Sequence, residues 1–212
     1  MIIEKLEPMI RQERTFRVLL SDGSVIKTQD YVIADLGLYP GMELDEEALS
    51  ALKAAAAKAS AKQRAVKIIS AAGVSKEELR HRLTRKGESE EDAQEAVEWL
   101  SELQLLDDGK TAEQIVRSAI NKGYGEARIK QILFEKRIPK EYWAEALQEI
   151  PVMDDAIDKF LRQRLQGRVP DQKEIKRTTD ALLRRGHSWQ DIRAGLKRYN
   201  EALELEWEEP YD

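Results

Sequence analysis

Hydrophobic and polar positions change their spacing near residue 44. Before it, apolar residues come in short runs separated by turn formers. TFRVLLSDGSVIKT holds two such runs around Ser21-Asp22-Gly23-Ser24, and Asp-Gly favours the positive φ of a tight hairpin turn. MIIEKLEPM predicts a third strand with Pro8 near its end, and YVIADLGLYPGMEL contains a Pro40-Gly41 turn. Residues 1–44 therefore read as an N-terminal β segment. After it the pattern is helical. Asp45 is placed to cap a helix with an acidic first turn, and Leu44 to staple against Leu49. High helix propensity runs through 46–72 and stops at Gly73. Its alanine content predicts a solvated spacer helix, so 45–72 reads as a linker helix leading into a first helical repeat.

From there the chain repeats itself. Val74-Ser75-Lys76-Glu77-Glu78-Leu79 carries a capping box (Ser75, Glu78) and a staple (Val74, Leu79); Ser89 before Asp92 and Ser188 before Asp191 open helices the same way. Lys86-Gly87-Glu88-Ser89 aligns with Lys136-Arg137-Ile138-Pro139 and with Arg185-Gly186-His187-Ser188, at offsets of 50 and 99. In that register Leu79 meets Ile129, and Leu83 meets Leu133 and Leu182. Ala96 falls on Ala146 and Gly195, and Val97 on Leu147 and Leu196. The matched positions are apolar, at helical spacing, with a small residue beside a large one, as packed helices require. Preceding helices at 61–72, 111–122 and 154–166 complete three units, 60–106, 107–151 and 152–200, with an acidic tail at 201–212. The expected fold is mainly α: three tandem three-helix repeats in an elongated, curved array whose units share their cores, behind a small N-terminal β-hairpin or sheet. A monomer is expected, because such an array buries its own core.

Composition narrows the chemistry. Of 212 residues, 42% are hydrophobic and 35% charged, and no cysteine is present, which removes disulfides and thiolate metal sites. No apolar run approaches the roughly 20 residues of a membrane span, and MIIEKLEPMIRQER lacks the pattern of a signal peptide. A reducing, cytoplasmic setting is expected. Net charge is -5, which argues against a simple nucleic-acid binder, but it is laid out in blocks. Residues 60–87 carry +6, 88–113 -9, 114–140 +5, 141–158 -6, 159–198 +8 and 199–212 -6. Helices of opposite sign then occupy different layers, and one face can be basic.

A catalytic set is not visible. The two histidines, His81 and His187, show no HxxxH or HExxH spacing, and the acidic cluster 88–92 sits where a helix first turn favours it. No phosphate-binding glycine motif occurs, and Lys122-Gly123-Tyr124-Gly125 reads as a helix–helix corner. Trp99, Trp143 and Trp189 are expected in cores, and Trp207 lies in the acidic tail. No catalytic residue, cofactor or metal is expected. There remain the basic rows: Arg80, Arg82, Arg85 and Lys86; Arg117, Lys122, Arg128, Lys130, Lys136, Arg137 and Lys140; Lys173, Lys176, Arg177, Arg184 and Arg185. Either they pair with the acidic helices as a solvated face, or they form a track for phosphates or for an acidic protein groove.

VSKEELRHRLTRKG, then AVEWLSELQLLDDGKTAEQIVRSAINKGYGEARIKQILFEKRIPKEYWAEAL, then ALLRRGHSWQDIRAGL resemble, in this order, the three tandem three-helix repeats of the RecX family, regulators of the RecA recombinase. LSELQLLDDGKTAEQIVRSAINKGYGEARIKQIL carries the most specific part of that likeness, which covers about residues 60–200. The N-terminal β segment and linker helix are similar to the extension of longer members. Two positions depart from the family wording: Glu88, where an aromatic or apolar residue is common after Lys-Gly, and Thr111, where a larger residue is common. The resemblance implies a non-enzymatic regulator that binds RecA or the RecA–single-stranded-DNA filament. It would lower filament growth, strand exchange, ATPase and coprotease activity in recombination, repair and the SOS response. The basic rows would be its contacts, with weak direct DNA binding through the basic helices. Two rival readings are a helical-repeat scaffold for another partner and a DNA-binding protein that acts without RecA.

Overall fold

The computed structural model describes residues 1–10, 14–148, 150–151 and 153–207, with side chains as far as Leu203. Trp207 and the acidic tail from residue 204 on lie beyond the described side chains. The chain divides into two compact units, residues 1–107 and 108–212.

In the first unit, β1 (Ile3–Pro8), β2 (Thr15–Leu20) and β3 (Val25–Gln29) form an antiparallel sheet in the order β1-β2-β3. Leu19 pairs with Val25 across the Asp-Gly turn, where Gly23 takes φ +82 and Asp22 accepts from the Ser24 N–H at 2.9 Å. The segment after the sheet is not all β. Asp30–Asp35 forms a short helix, α1, whose Val32 enters the core. Alternation alone did not reveal it, because YVIAD places its apolar residues together rather than at a clear period.

α2 (Glu46–Ala71) begins at the Asp45 cap, which accepts from the Ala48 N–H at 2.7 Å. Twenty-six residues at 1.5 Å per residue make it about 39 Å long. It is no solvated spacer. Leu52 and Ala59 belong to the core of the sheet, with Ile3, Val18, Leu20, Val32, Leu38 and Leu44. Ala61 and Ala65 belong to the next core, with Leu79 and Leu83 of α3 (Lys76–Arg85) and Ala93, Ala96, Val97 and Leu100 of α4 (Glu90–Glu102). A methyl group lets backbones approach closely, so the alanine run that suggested a solvated helix is the face that packs at both ends. Ser75 and Ser89 cap α3 and α4, each accepting at 3.0 Å from the N–H three residues on.

The second unit holds two more helix groups. α5 (Asp108–Asn121), α6 (Glu126–Glu135) and the short α7 (Trp143–Gln148), entered through a 3-10 turn at Lys140–Tyr142, close over Ala112, Val116, Ala119, Ile129, Leu133, Ile138 and Ala146. α8 (Asp154–Leu165), α9 (Gln172–Arg184) and α10 (Trp189–Trp207) close over Ile157, Leu161, Leu165, Leu182, Ile192, Tyr199 and Leu203. Each group thus has its own core, contrary to the expectation that neighbours share one. Three short helices already bury their apolar stripes against one another. Of the tryptophans expected in cores, Trp99 and Trp143 pack against theirs. Trp189 does not; it is 62% exposed, standing at the first position of α10, ahead of the 192–196–199–203 stripe.

The aligned corners share one hydrogen-bond pattern. Gly87, Arg137 and Gly186 all lie in the left-handed region, at φ +94, +55 and +86. The residue after each donates to a carbonyl five residues back: Glu88 to Leu83 (3.2 Å), Ile138 to Leu133 (3.0 Å) and His187 to Leu182 (3.2 Å). These are helix C-terminal caps of the Schellman type. Inside the second unit the groups meet at two such corners. The Gly125 N–H donates to the Arg185 carbonyl at 2.8 Å and the Ala127 N–H to the Gly186 carbonyl at 3.3 Å. The Arg185 guanidinium donates to the Lys122 carbonyl at 2.9 Å and lies over the rings of Phe160 and Tyr124, at 5.0 and 5.7 Å. His187 is buried, with Nε2 3.1 Å from the Gly123 carbonyl.

Candidate functional site

The basic rows are sorted by their surroundings. On α3, Arg80 is held by Glu77 at 2.9 Å and by Glu90 of α4 at 2.7 Å, and Arg82 by Glu78 at 2.6 Å. Arg85 and Lys86 are exposed and have no carboxylate partner among the described residues. In the middle row Arg117 pairs with Glu113 (3.5 Å), Arg128 with Glu135 (3.2 Å) and Lys130 with Glu126 (2.5 Å). Lys136 and Arg137 also have partners. The Lys122 ammonium is exposed and without a carboxylate among the described residues, while its carbonyl serves the corner. On α9 the buried side is Thr178, Thr179 and Leu182. The exposed side carries Lys173, Lys176, Arg177 and Arg184, none with a carboxylate partner among the described residues. Arg185 is a packing residue within the joint between the two groups.

The blocks of charge therefore pair in part. Glu95 of α4 receives Lys58 at 2.7 Å and Lys62 at 3.1 Å from α2, and these two ammonium groups hold its carboxyl below the ordinary range. Arg198 grips Asp158 at 2.8 Å and Asp154 at 3.0 Å. Exposed pairs of this kind contribute about 0–1 kcal/mol each, so they organise the surface more than they stabilise it.

Sequence reasoning missed a cluster in the first unit. Arg82 and Lys86 of the α3 row share a cleft of about 640 Å³ with Lys27 of β3 and with Arg64 and Lys67 of α2. Glu88 stands behind it. Its side chain is 8% exposed, accepts from Arg64 Nε at 2.7 Å, and accepts from Ser60 Oγ at 3.0 Å. The departure at Glu88 thus has a local cause: a buried carboxylate ties the α3–α4 corner to α2. The signal was present as Arg64 and Glu88, but 24 residues of separation and an intervening helix hid the pairing. Among the described residues no group of three His, Asp or Glu side chains is placed to hold a metal, and no helix is long and apolar enough to cross a membrane.

Residues 107–147 match the family model for the second three-helix domain of RecX. The chain is 32% identical over 139 residues to the regulatory protein RecX of Vibrio parahaemolyticus, covering 65% of this chain and 90% of that one. The chain belongs to the RecX family. RecX of Oceanobacillus iheyensis is 27% identical over 194 residues, covering 88% of this chain and 71% of the relative. A crystal structure of a regulatory protein RecX superposes on 91% of this chain with a TM-score of 0.65 at 23% identity; RecX from Lactobacillus salivarius covers 68% with a TM-score of 0.60 at 19% identity. Those two show the fold, mainly helical behind a small sheet. The family is one of regulatory proteins, and the α5–α7 group is the part its domain model recognises.

Proposed function

We propose that this RecX-family chain regulates RecA. In this reading it binds the RecA–single-stranded-DNA filament and limits filament growth, strand exchange and ATP hydrolysis in recombination, repair and the SOS response in the cytoplasm. The observation that carries the reading is the match to regulatory RecX proteins over nearly their whole length. The helix surfaces support it. On α9, Lys173, Lys176, Arg177 and Arg184 form no ion pair among the described residues, and Asp180 is the carboxylate that shares their face, so a net positive charge is left for an acidic partner. Phe134 and Trp189, 71% and 62% exposed, are aromatic anchors of the type that dominates interfaces. With a net charge of -5 the chain does not gain tight binding from charge alone; the partner surface includes protein.

Such regulation needs no bond-making chemistry. Preferential affinity for one filament state shifts the population toward it. A monomer that touches several protomers of a repeating partner gains by avidity. The test is binding to RecA filaments preformed on surface-tethered single-stranded DNA, with the triple variant Lys176→Glu, Arg177→Glu, Arg184→Glu as comparison. Saturable binding that the variant weakens at least tenfold, with its melting temperature unchanged, is expected. Equal binding to DNA with and without RecA would overturn the proposal.

A further inference from the structure

We infer that the cleft between β3, α2 and α3 is a phosphate site that takes the sugar–phosphate backbone of a single-stranded nucleic acid. Five cationic side chains line it: Lys27, Arg64, Lys67, Arg82 and Lys86. Two are already matched, Arg64 by Glu88 at 2.7 Å and Arg82 by Glu78 at 2.6 Å. The ammonium groups of Lys27, Lys67 and Lys86 have no carboxylate partner among the described residues. The cleft therefore keeps about three positive charges on a chain that is acidic as a whole, and low-dielectric walls concentrate that field.

The matched arginines matter as well. Arg64 is tied at Nε to Glu88 and through Nη1 to the Lys86 carbonyl at 3.3 Å, and Arg82 is tied at Nε. Their forks are held in place before a ligand arrives, which lowers the ordering entropy of binding. Thr28 in the same wall is buried, and its Oγ1 makes no hydrogen bond among the described residues. An orphan donor in a native wall calls for a partner.

The lining also says which anion. Among the described residues no aromatic side chain borders the cleft, so bases have nothing to stack on, and Ile68 is the one large apolar residue there. A protein segment would find little to anchor it. Phosphates on a flexible strand meet several separated ammonium groups at once, and recognition of the backbone is independent of sequence. A volume of about 640 Å³ falls in the range of roughly 300–1,000 Å³ typical of ligand clefts. This inference does not rest on the recombinase reading, since bare oligonucleotide tests it.

The experiment is fluorescence anisotropy of a labelled dT20 strand, without RecA, against the full chain from low to moderate salt. The comparison variants are Lys27→Gln with Lys67→Gln in the cleft, and Lys5→Gln with Lys53→Gln elsewhere on the same unit. All four lysines are exposed, so both proteins are expected to fold, which their melting curves check. Each single-strand phosphate contact contributes about 0.7 to the slope of log affinity against log salt. The cleft variant is expected to lower the slope by about 1.4, and to weaken binding about tenfold or more at low salt. The control, with the same loss of charge, should keep the wild-type slope. Equal losses in both variants, no measurable dT20 binding by wild type, or displacement of dT20 by poly-glutamate as readily as by unlabelled dT20 would each overturn the inference.

Discussion

The joint between the α5–α6 and α9–α10 corners gives the sharpest stability prediction, at Gly125. This residue caps α6 with φ -77, a conformation open to any amino acid. With no joint, Gly125→Ala would change stability by no more than about 1 kcal/mol, since the gain through the unfolded state is opposed by alanine's poor fit at a helix N-cap. The joint makes the change much costlier. A Cβ at Gly125 would lie 2.3 Å from the Gly186 carbonyl oxygen, where ordinary contact begins at 3.4 Å, so the corners must part by about 1 Å. The Gly125 N–H to Arg185 carbonyl bond, 2.8 Å, and the Ala127 N–H to Gly186 carbonyl bond, 3.3 Å, would then pass out of range. At about 1 kcal/mol each, with a larger penalty where a buried group is left unmet, the expected loss is about 2–4 kcal/mol. Urea unfolding monitored by circular dichroism measures it. Gly87→Ala is the comparison: Gly87 aligns with Gly186 on the other side of the joint, and stands at φ +94 with nothing within 4 Å. It should lose only the left-handed penalty of about 1–2 kcal/mol. A Gly125→Ala protein as stable as wild type, or more so, would refute the joint.

Further outcomes are expected from single contacts. Ser75→Ala removes the fully buried cap that accepts the Glu78 N–H at 3.0 Å, and should lower stability by about 1 kcal/mol in thermal unfolding. Burial holds the His187 imidazole below its ordinary range, with Arg185 nearby adding to the effect and the Gly123 carbonyl and Asp191 opposing it. A depressed folded value means the unfolded chain takes up the proton first, so stability present above pH 6.5 is lost as pH falls below it. His187→Ile, with the residue that Ile138 supplies at the matching corner, should flatten stability between about pH 7.5 and 5.5, measured by unfolding at both. Arg185→Met should lower the melting temperature through the lost Lys122 carbonyl bond and ring contacts, whereas Arg184→Gln next to it should leave melting unchanged.

Much of this fold was legible because its signals are local. Caps at Asp45, Ser75, Ser89 and Ser188 were visible as side chains ahead of acidic first turns, and each accepts the expected N–H. The repeat was legible because its left-handed corner recurs, even where Arg137 rather than glycine occupies it. The same logic missed one cap: Asp171 and Glu174 form a full capping box on α9 that three-residue spacing could have revealed. The failures were long-range. Composition cannot say whether an alanine face meets solvent or a sheet, and α2 meets a sheet and then α4. The Arg64–Glu88 pair and the cleft around it join β3, α2 and α3, which only the tertiary fold brings together. For the basic rows, sequence showed charge but not its partners. In the middle row Arg117, Arg128 and Lys130 proved paired within their own helices, while the α9 cations form no ion pair among the described residues.

Single-stranded-DNA-dependent ATP hydrolysis by the cognate RecA, with this chain titrated in, tests the central claim most directly. The account predicts a progressive fall that is well advanced below one copy per recombinase protomer, and that the Lys176→Glu, Arg177→Glu, Arg184→Glu protein reproduces only at much higher ratios. Unchanged hydrolysis at equimolar protein, with filaments otherwise competent, would contradict it.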